Sequence, residues 1–171
     1  FFDGDRVSAQ INKINTIPYE VIQEMIPHAM VQQNVRDVAL NPNHPIIRGT
    51  GQRPDIFMQN AVAAHSYYEA APGIVQETMD EVGAVVGRKY NLFDYYGAAD
   101  AERVAVVMGS ASSTVKEAVD HLNQGGHKTG LVKVRLYRPW DDAAFRAVIP
   151  ETARDITVLD RTREDGALGQ P

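Results

Sequence analysis

Apolar residues in the second half of the chain predict strands separated by helices. A continuous apolar run at 103–108 is typical of a strand buried on both faces, and runs at 130–137 and 155–160 resemble it. Between these runs, apolar residues recur at helical spacing over 115–122 and 144–148. A strand–helix–strand–helix–strand order predicts an α/β fold with a parallel βαβαβ sheet and right-handed crossovers.

The first half of the chain has mainly helical periodicity, interrupted by prolines. Apolar residues at helical spacing cover 19–26 and, more weakly, 30–38. From Pro54 onward the pattern predicts two further helices, one over 54–67 and one over 72–86. We therefore expect a largely helical segment before the sheet.

Two short strands and one boundary complete the predicted layout. The sequence predicts a short strand over 46–51 that leads into a glycine-containing loop. The aromatic stretch 90–96 predicts another strand. Residues 97–100 are small or turn-forming, which makes them the best candidate for a domain boundary. We predict two domains, 1–97 and 98–171.

Composition and charge exclude several classes of protein. Apolar residues make up 44% of the 171 residues and charged residues 23%, as in ordinary globular domains. The net charge of −5 gives no basic footprint for nucleic acid, and no apolar run is long enough to span a membrane. Cysteine is absent, so the chain has no thiolate nucleophile and no cysteine ligand for an iron–sulfur cluster. These features predict a cytoplasmic protein.

A serine-rich loop is the first candidate binding element. Residues 109–114 lie between a buried strand and a helix N-terminus, where free N–H groups favour an anion. Gly109 and Ser110 are the candidate cofactor contacts, and Ser112 or Ser113 is expected to cap the helix. The loop lacks both the G-x-G-x-x-G pattern and the lysine of a P-loop, so a plain serine-capped turn explains it equally well.

Four arginines are candidates for substrate or interdomain contact. Arg135, Arg138 and Arg161 lie at or just beyond predicted strand ends, at the edge where α/β sheets usually meet ligands or partner domains. Arg48, in the predicted strand at 46–51, is the fourth. The alternative is surface or interdomain ion pairing, the commoner fate of charged loops. The expected ion-pair partners are Asp141, Asp160, Glu164 and Asp165.

Residue chemistry predicts neither a metal site nor a catalytic centre. The five histidines are scattered, and none forms an H-x-x-x-H or H-E-x-x-H pattern. No nucleophile elbow is present. The chain also stops shortly after the third strand of the predicted βαβαβ unit, without the helix that would normally cover it. We therefore expect a fragment of a longer polypeptide, with an exposed sheet edge that reduces solubility.

Several ordered blocks of sequence resemble the pyruvate:ferredoxin (flavodoxin) oxidoreductase family. The resemblance covers nearly the whole chain, and a series of matching blocks is far more specific than any single motif above. The blocks are 41–52, 54–59, 75–79, 92–97, 132–139 and 159–164.

The resemblance implies a function and a division into domains. Enzymes of this family oxidatively decarboxylate pyruvate to acetyl-CoA, using thiamine diphosphate, magnesium and iron–sulfur clusters, and pass electrons to ferredoxin or flavodoxin. By this resemblance, 1–97 is the helical rear part of a thiamine-pyrimidine-type domain. Residues 98–171 are then a truncated transketolase-C-terminal-like domain.

The same resemblance places the reaction chemistry outside this chain. The family's catalytic, diphosphate-binding and cluster-binding residues match no position here, so the isolated fragment is expected to be inactive and to bind none of the cofactors. Its implied partners are the remaining domains of the parent polypeptide, with ferredoxin or flavodoxin, in a homodimeric parent. No nucleic-acid or membrane partner is expected.

Two other classes of function compete with this interpretation. A stand-alone α/β module could hold a nucleotide or a phosphate at residues 109–114. A scaffold without any ligand is the third possibility.

Overall fold

The computed structural model describes residues 16–45, 51–160 and 166, and these residues divide into two compact units. One unit ends at Ser66 and the other begins at Tyr67. The predicted strand at 46–51 falls almost entirely outside the described residues, as do Arg48 and Arg161.

The unit that ends at Ser66 is helical. It contains α1 (Tyr19–Met25), α2 (His28–Val38) and the first part of α3 (Pro54–Val86). The helices predicted over 19–26 and 30–38 are thus present, but α1 and α2 contain no buried residue. Apolar side chains such as Met30 therefore lie on the surface of this unit.

Helix α3 corrects the sequence prediction of two separate helices. It is continuous over 33 residues, with Pro72 in its interior. Two alanines precede Pro72, and alanine has the highest helix propensity, so the local sequence favours the helix up to the proline. Beyond Pro72, the side chains of Val75 and Met79 pack against the core of the sheet unit. This packing favours the helix although the proline nitrogen carries no hydrogen to donate.

The unit that begins at Tyr67 is built around a four-stranded sheet. After α3 the chain forms β1 (Phe93–Gly97), β2 (Arg103–Met108), α4 (Ala111–Gln124), β3 (Thr129–Val134), α5 (Asp142–Val148) and β4 (Asp155–Leu159). The strand order is β1-β3-β2-β4. Strand β2 pairs in parallel with both β3 and β4, which confirms the predicted parallel βαβαβ arrangement.

Strand β1 adds an antiparallel edge that the sequence pattern did not reveal. Phe93 pairs with Val134, and Gly97 pairs with Gly130. The strand lies immediately before the predicted domain boundary at residue 97, so the sheet includes residues from both sides of that position.

Helices cover both faces of the sheet. On one face, Val119 of α4 packs against Val107 and Leu131. On the other face, Phe145 of α5 packs against a core that includes Phe93 and Val132. The α/β class is therefore confirmed, with one helix-covered core on each side. In the described part of the chain, no helix is both long enough and apolar enough to cross a membrane.

Candidate functional site at the carboxyl edge of the sheet

The carboxyl ends of the three parallel strands lie along one edge of the sheet. Gly109 and Ser110 follow β2, residues 135–140 follow β3, and Asp160 follows β4. Ligands of open α/β sheets usually bind at this edge. The structure thus places two of the predicted contact segments, 109–110 and 135–138, at this edge of the sheet.

Gly109 and Ser110 form a tight turn into α4. Gly109 has a φ of 70°, in the left-handed region that glycine occupies most easily, and its carbonyl accepts hydrogen bonds from the Ser112 amide and hydroxyl. The expected serine cap is wrong. The helix begins at Ala111, so Ser112 already lies in the first turn and its hydroxyl donates backwards at 2.7 Å. Cofactor contact by Gly109 and Ser110 stays a prediction.

Arg135 joins the end of β3 to the start of β1. Its guanidinium forms an ion pair with Asp94 and donates to the carbonyl oxygen of Asn91 at 3.2 Å. The guanidinium also lies 5.2 Å from the centre of the Tyr90 ring. Only about a fifth of the Arg135 side chain is exposed, at 21%, so this ion pair is partly shielded from water.

The ion-pair partner of Arg135 was not among the acidic residues expected from the sequence. Those residues were neighbours in the predicted loops, whereas Asp94 is distant in sequence. Asp94 is brought close by the pairing of β1 with β3, in which it lies opposite Lys133. A strand was predicted over 90–96, but its antiparallel pairing with β3 was not, so this ion-pair partner could not be predicted either.

Arg138 instead lies on the surface, beside an aromatic cleft. Its guanidinium is 5.0 Å from the centre of the Tyr137 ring, and its Nη2 donates to the Tyr137 hydroxyl at 3.4 Å. Among the described residues, no carboxylate forms an ion pair with Arg138. The aromatic cleft has a volume of about 780 Å³. It is lined by Tyr68, Tyr137, Arg138, Pro139 and Trp140.

The base of the aromatic cleft is anchored to the core. The ring of Trp140 lies 4.8 Å from that of Phe93 and 4.7 Å from that of Phe145, measured between centroids. Phe93 is almost fully buried, so the Trp140 position is fixed by packing. Sequence reasoning identified Arg138 but missed the aromatic residues around it. The aromatic residues on both sides of the Arg138–Pro139 pair were the available signal, while nothing in the sequence indicated Tyr68.

The site does not supply a metal centre from the described residues. No group of three histidine, aspartate or glutamate side chains converges within the described ranges. The chemistry available at the carboxyl edge is recognition by a guanidinium and by aromatic rings. These features define an α/β domain whose carboxyl edge is a candidate contact surface.

Comparisons with known proteins identify the family. Residues 1–80 match the family model described as pyruvate flavodoxin/ferredoxin oxidoreductase, thiamine diP-bdg. Residues 101–170 match the model described as pyruvate:ferredoxin oxidoreductase core domain II. The two matches are consecutive and together span most of the chain.

Similarity to characterised enzymes extends over the entire chain. It is 49% identical to the mitochondrial pyruvate dehydrogenase (NADP+) of Euglena gracilis, over 100% of the chain and 9% of the relative. It is 48% identical to the pyruvate:ferredoxin oxidoreductase of Moorella thermoacetica and 47% identical to the pyruvate-flavodoxin oxidoreductase of Klebsiella pneumoniae, over 14% of each. The chain belongs to the pyruvate:ferredoxin/flavodoxin oxidoreductase family, which confirms the resemblance seen in the sequence blocks. It spans only 9–14% of the length of these relatives.

Proposed function

We propose that this chain forms part of a thiamine-dependent enzyme that oxidatively decarboxylates pyruvate to acetyl-CoA and passes the electrons to ferredoxin or flavodoxin. The observation that carries the proposal is identity of 47–49% along the whole chain to enzymes named pyruvate dehydrogenase (NADP+), pyruvate:ferredoxin oxidoreductase and pyruvate-flavodoxin oxidoreductase. Identity at this level over every element supports a common architecture and, with it, a common reaction.

The chain's own residues supply structure and contacts in this proposal. The sequence has no cysteine to hold an iron–sulfur cluster, and the described residues present no group of three metal-ligating side chains. No step of the reaction is therefore assigned to the described residues.

We propose the division into a thiamine-pyrimidine-type part, 1–97, and a transketolase-C-terminal-like part, 98–171. The two family matches, 1–80 and 101–170, support this division because each lies on its own side of residue 97. Strand β1 then joins the two parts, since it ends at Gly97 and adds to the sheet of the second part.

We further propose that Arg138 and the aromatic cleft contact a neighbouring domain of the parent enzyme. An exposed guanidinium without a described carboxylate partner suits an acidic side chain on such a domain. Exposed aromatic residues beside it are typical of interface cores, and Trp140 is 43% exposed although its position is fixed by the core. Arg135 differs, because its ion pair with Asp94 holds β1 and β3 together.

The wider assembly is proposed on family grounds alone. We propose that the parent enzyme is a homodimer and works in the cytoplasm with ferredoxin or flavodoxin as its acceptor. The names of the bacterial relatives support the acceptor class. The Euglena relative is named as mitochondrial, so the compartment differs within the family.

Pyruvate-dependent reduction of a viologen dye tests the proposed function. We expect the complete polypeptide that carries this sequence to reduce the dye when thiamine diphosphate, magnesium and coenzyme A are supplied, and residues 1–171 alone to be inactive. A complete polypeptide without activity would overturn the function. Thiamine-dependent turnover by residues 1–171 alone would overturn the assignment of the chemistry to the rest of the enzyme.

The same assay tests the role of Arg138. In the complete polypeptide, we expect Arg138→Ala to lower the rate several-fold by weakening a domain contact. Arg146→Ala is the matched control, because Arg146 is also exposed and its ion-pair partner among the described residues is Asp142, one turn earlier in the same helix. Equal rates for the two variants would contradict the proposed contact.

A further inference from the structure

A second cleft lies on the α4 face of the sheet and is lined by lysines from three different parts of the chain. Its volume is about 380 Å³, within the range of small-molecule sites. We call it the lysine cleft. Its lining residues used below are Lys89, Lys116 and Lys133, with Asp94, Ser112 and Ser113.

Each lysine comes from a different structural element. Lys89 lies between α3 and β1, Lys116 lies in α4, and Lys133 lies in β3. Lys133 alternates with Val132 and Val134 of the opposite core, so it shares the α4 face with Leu131. The ammonium of Lys116 is held 4.6 Å from the centre of the Tyr96 ring.

Positive charge in the lysine cleft is only partly neutralised by the described residues. Asp94 is the single carboxylate among the described lining residues, and it is already paired with Arg135 and accepts a hydrogen bond from Asn91. Burial lowers the pKa of Lys133, and the positive charge of Arg135 lowers it further, while Asp94 raises it. The lowered pKa indicates that the Lys133 ammonium is under-compensated within this fold.

We propose that the lysine cleft binds the phosphate group of a small phosphorylated ligand. Lys89, Lys116 and Lys133 would supply charged donors, and the hydroxyl of Ser113 would supply a neutral one. Lysine binds phosphate as a point charge, and donors from several directions suit a tetrahedral oxyanion better than a planar one. The proposal is independent of the pyruvate reaction. It extends the anion interpretation of residues 109–114 into the neighbouring cleft.

Titration with inorganic phosphate, followed by NMR, tests the proposal. The 171-residue chain is labelled with ¹⁵N and studied at a concentration where sedimentation velocity shows a monomer. Sodium chloride at matched ionic strength provides the blank, because screening alone shifts exposed amides. We expect saturable shifts at the amides of Ser113, Lys116 and Lys133 with phosphate and none with chloride. Equal, saturable shifts with acetate would overturn the phosphate assignment in favour of an acidic protein segment. The absence of saturable shifts would overturn the site.

Variants of the cleft lysines provide the second arm of the test. We expect Lys133→Met to weaken phosphate binding about tenfold, as the loss of one charged donor would. Lys116→Met should also weaken it, and this surface variant keeps the test valid if Lys133→Met fails to fold. Lys128→Met is the control, because Lys128 lies outside the cleft and pairs with Asp100 at 2.7 Å. Unchanged affinity in a folded Lys133→Met or in Lys116→Met, or an equal loss in the control, would contradict the proposal.

Discussion

At the scale of single residues, the charge of Lys133 lowers the stability of the fold but favours the proposed binding of an anion. Its side chain lies on a central strand, where burial and Arg135 both disfavour the charged form. A residue kept at a cost to stability is typical of a functional site. The same ammonium that would attract an anion therefore weakens the fold that holds it.

Replacing Lys133 should accordingly stabilise the protein. We expect Lys133→Met to raise the melting temperature at pH 7, because methionine keeps most of the apolar stem and removes the partly desolvated charge. Differential scanning calorimetry measures the change, and Lys133→Arg is the control that keeps the charge. A lower melting temperature for the methionine variant would show that the interaction with Asp94 outweighs burial.

The stabilisation expected for Lys133→Met depends on pH, and the direction of this dependence follows from the pKa of Lys133. The folded-state pKa of Lys133 lies below its ordinary value of 10.5, so the folded protein loses this proton at a lower pH than the unfolded chain does. The wild type therefore gains stability relative to Lys133→Met as the pH rises through the lowered pKa towards 10.5. The difference in melting temperature should shrink over that interval and stay constant at lower pH.

At the scale of elements, the sequence patterns predicted the parallel strands well and the connections between elements less well. Strand β2 matches the predicted run 103–108 because a continuous apolar stretch leaves few alternatives. The antiparallel pairing of β1 was missed, since strand direction and order depend on long-range contacts rather than on local periodicity. Of the strand predicted over 90–96, residues 93–96 lie in β1, but their place in the sheet was not predictable.

The candidate sites differ in the same way: one depends on neighbouring residues in the sequence, and the other depends on residues that are distant in the sequence. Arg138 was a candidate because it follows a predicted strand; the structure places it on the surface, and its contact stays a prediction. The lysine cleft was not predicted, because its three lysines lie far apart in sequence and no spacing rule connects them. Only the packing of α4 against β3 and the pairing of β1 with β3 bring them together.

The continuity of α3 leads to a prediction for Gly73. Glycine inside a helix costs about 1 kcal/mol relative to alanine, and a Cβ at Gly73 would meet no atom within 4 Å. We therefore expect Gly73→Ala to stabilise the protein by about 1 kcal/mol, measured by urea unfolding followed by circular dichroism.

Gly83 supplies the matched control in the same helix. A Cβ at Gly83 would collide with the carbonyl oxygen of Arg88, which follows the helix end. Gly83→Ala should therefore destabilise the protein, because backbone must move to admit the methyl group. The structure indicates that helix propensity decides the effect at Gly73 and packing decides it at Gly83. Equal changes in stability for the two variants would contradict this.

At the scale of the whole molecule, both units expose large apolar side chains. In the helical unit these include Met30, Val35 and Phe57, and in the sheet unit they include Ile156 and Val158. Apolar surface of this kind commonly marks an interface. The chain spans about a tenth of the length of its relatives. The exposed apolar side chains therefore suit contacts with other parts of a larger enzyme.

Among the residues that the structure describes, strand β4 forms one edge of the sheet. It is the last strand in the order, it pairs with β2 on one side, and all five of its residues are exposed. Its side chains Ile156 and Val158 are 50% and 65% exposed. An exposed apolar strand at a sheet edge is a template for association between chains.

Self-association through β4 is therefore the expected behaviour of the isolated chain at high concentration. Val158→Lys should raise the monomer fraction in sedimentation velocity, because an edge lysine blocks further strand pairing while the side chain is already largely in water. Gln124→Lys is the control, since it adds the same charge at an exposed position in α4. If both variants raise the monomer fraction equally, self-association depends on net charge rather than on the β4 edge. If the wild type is monomeric at every concentration, the edge is protected within the chain itself, and the expected low solubility is wrong.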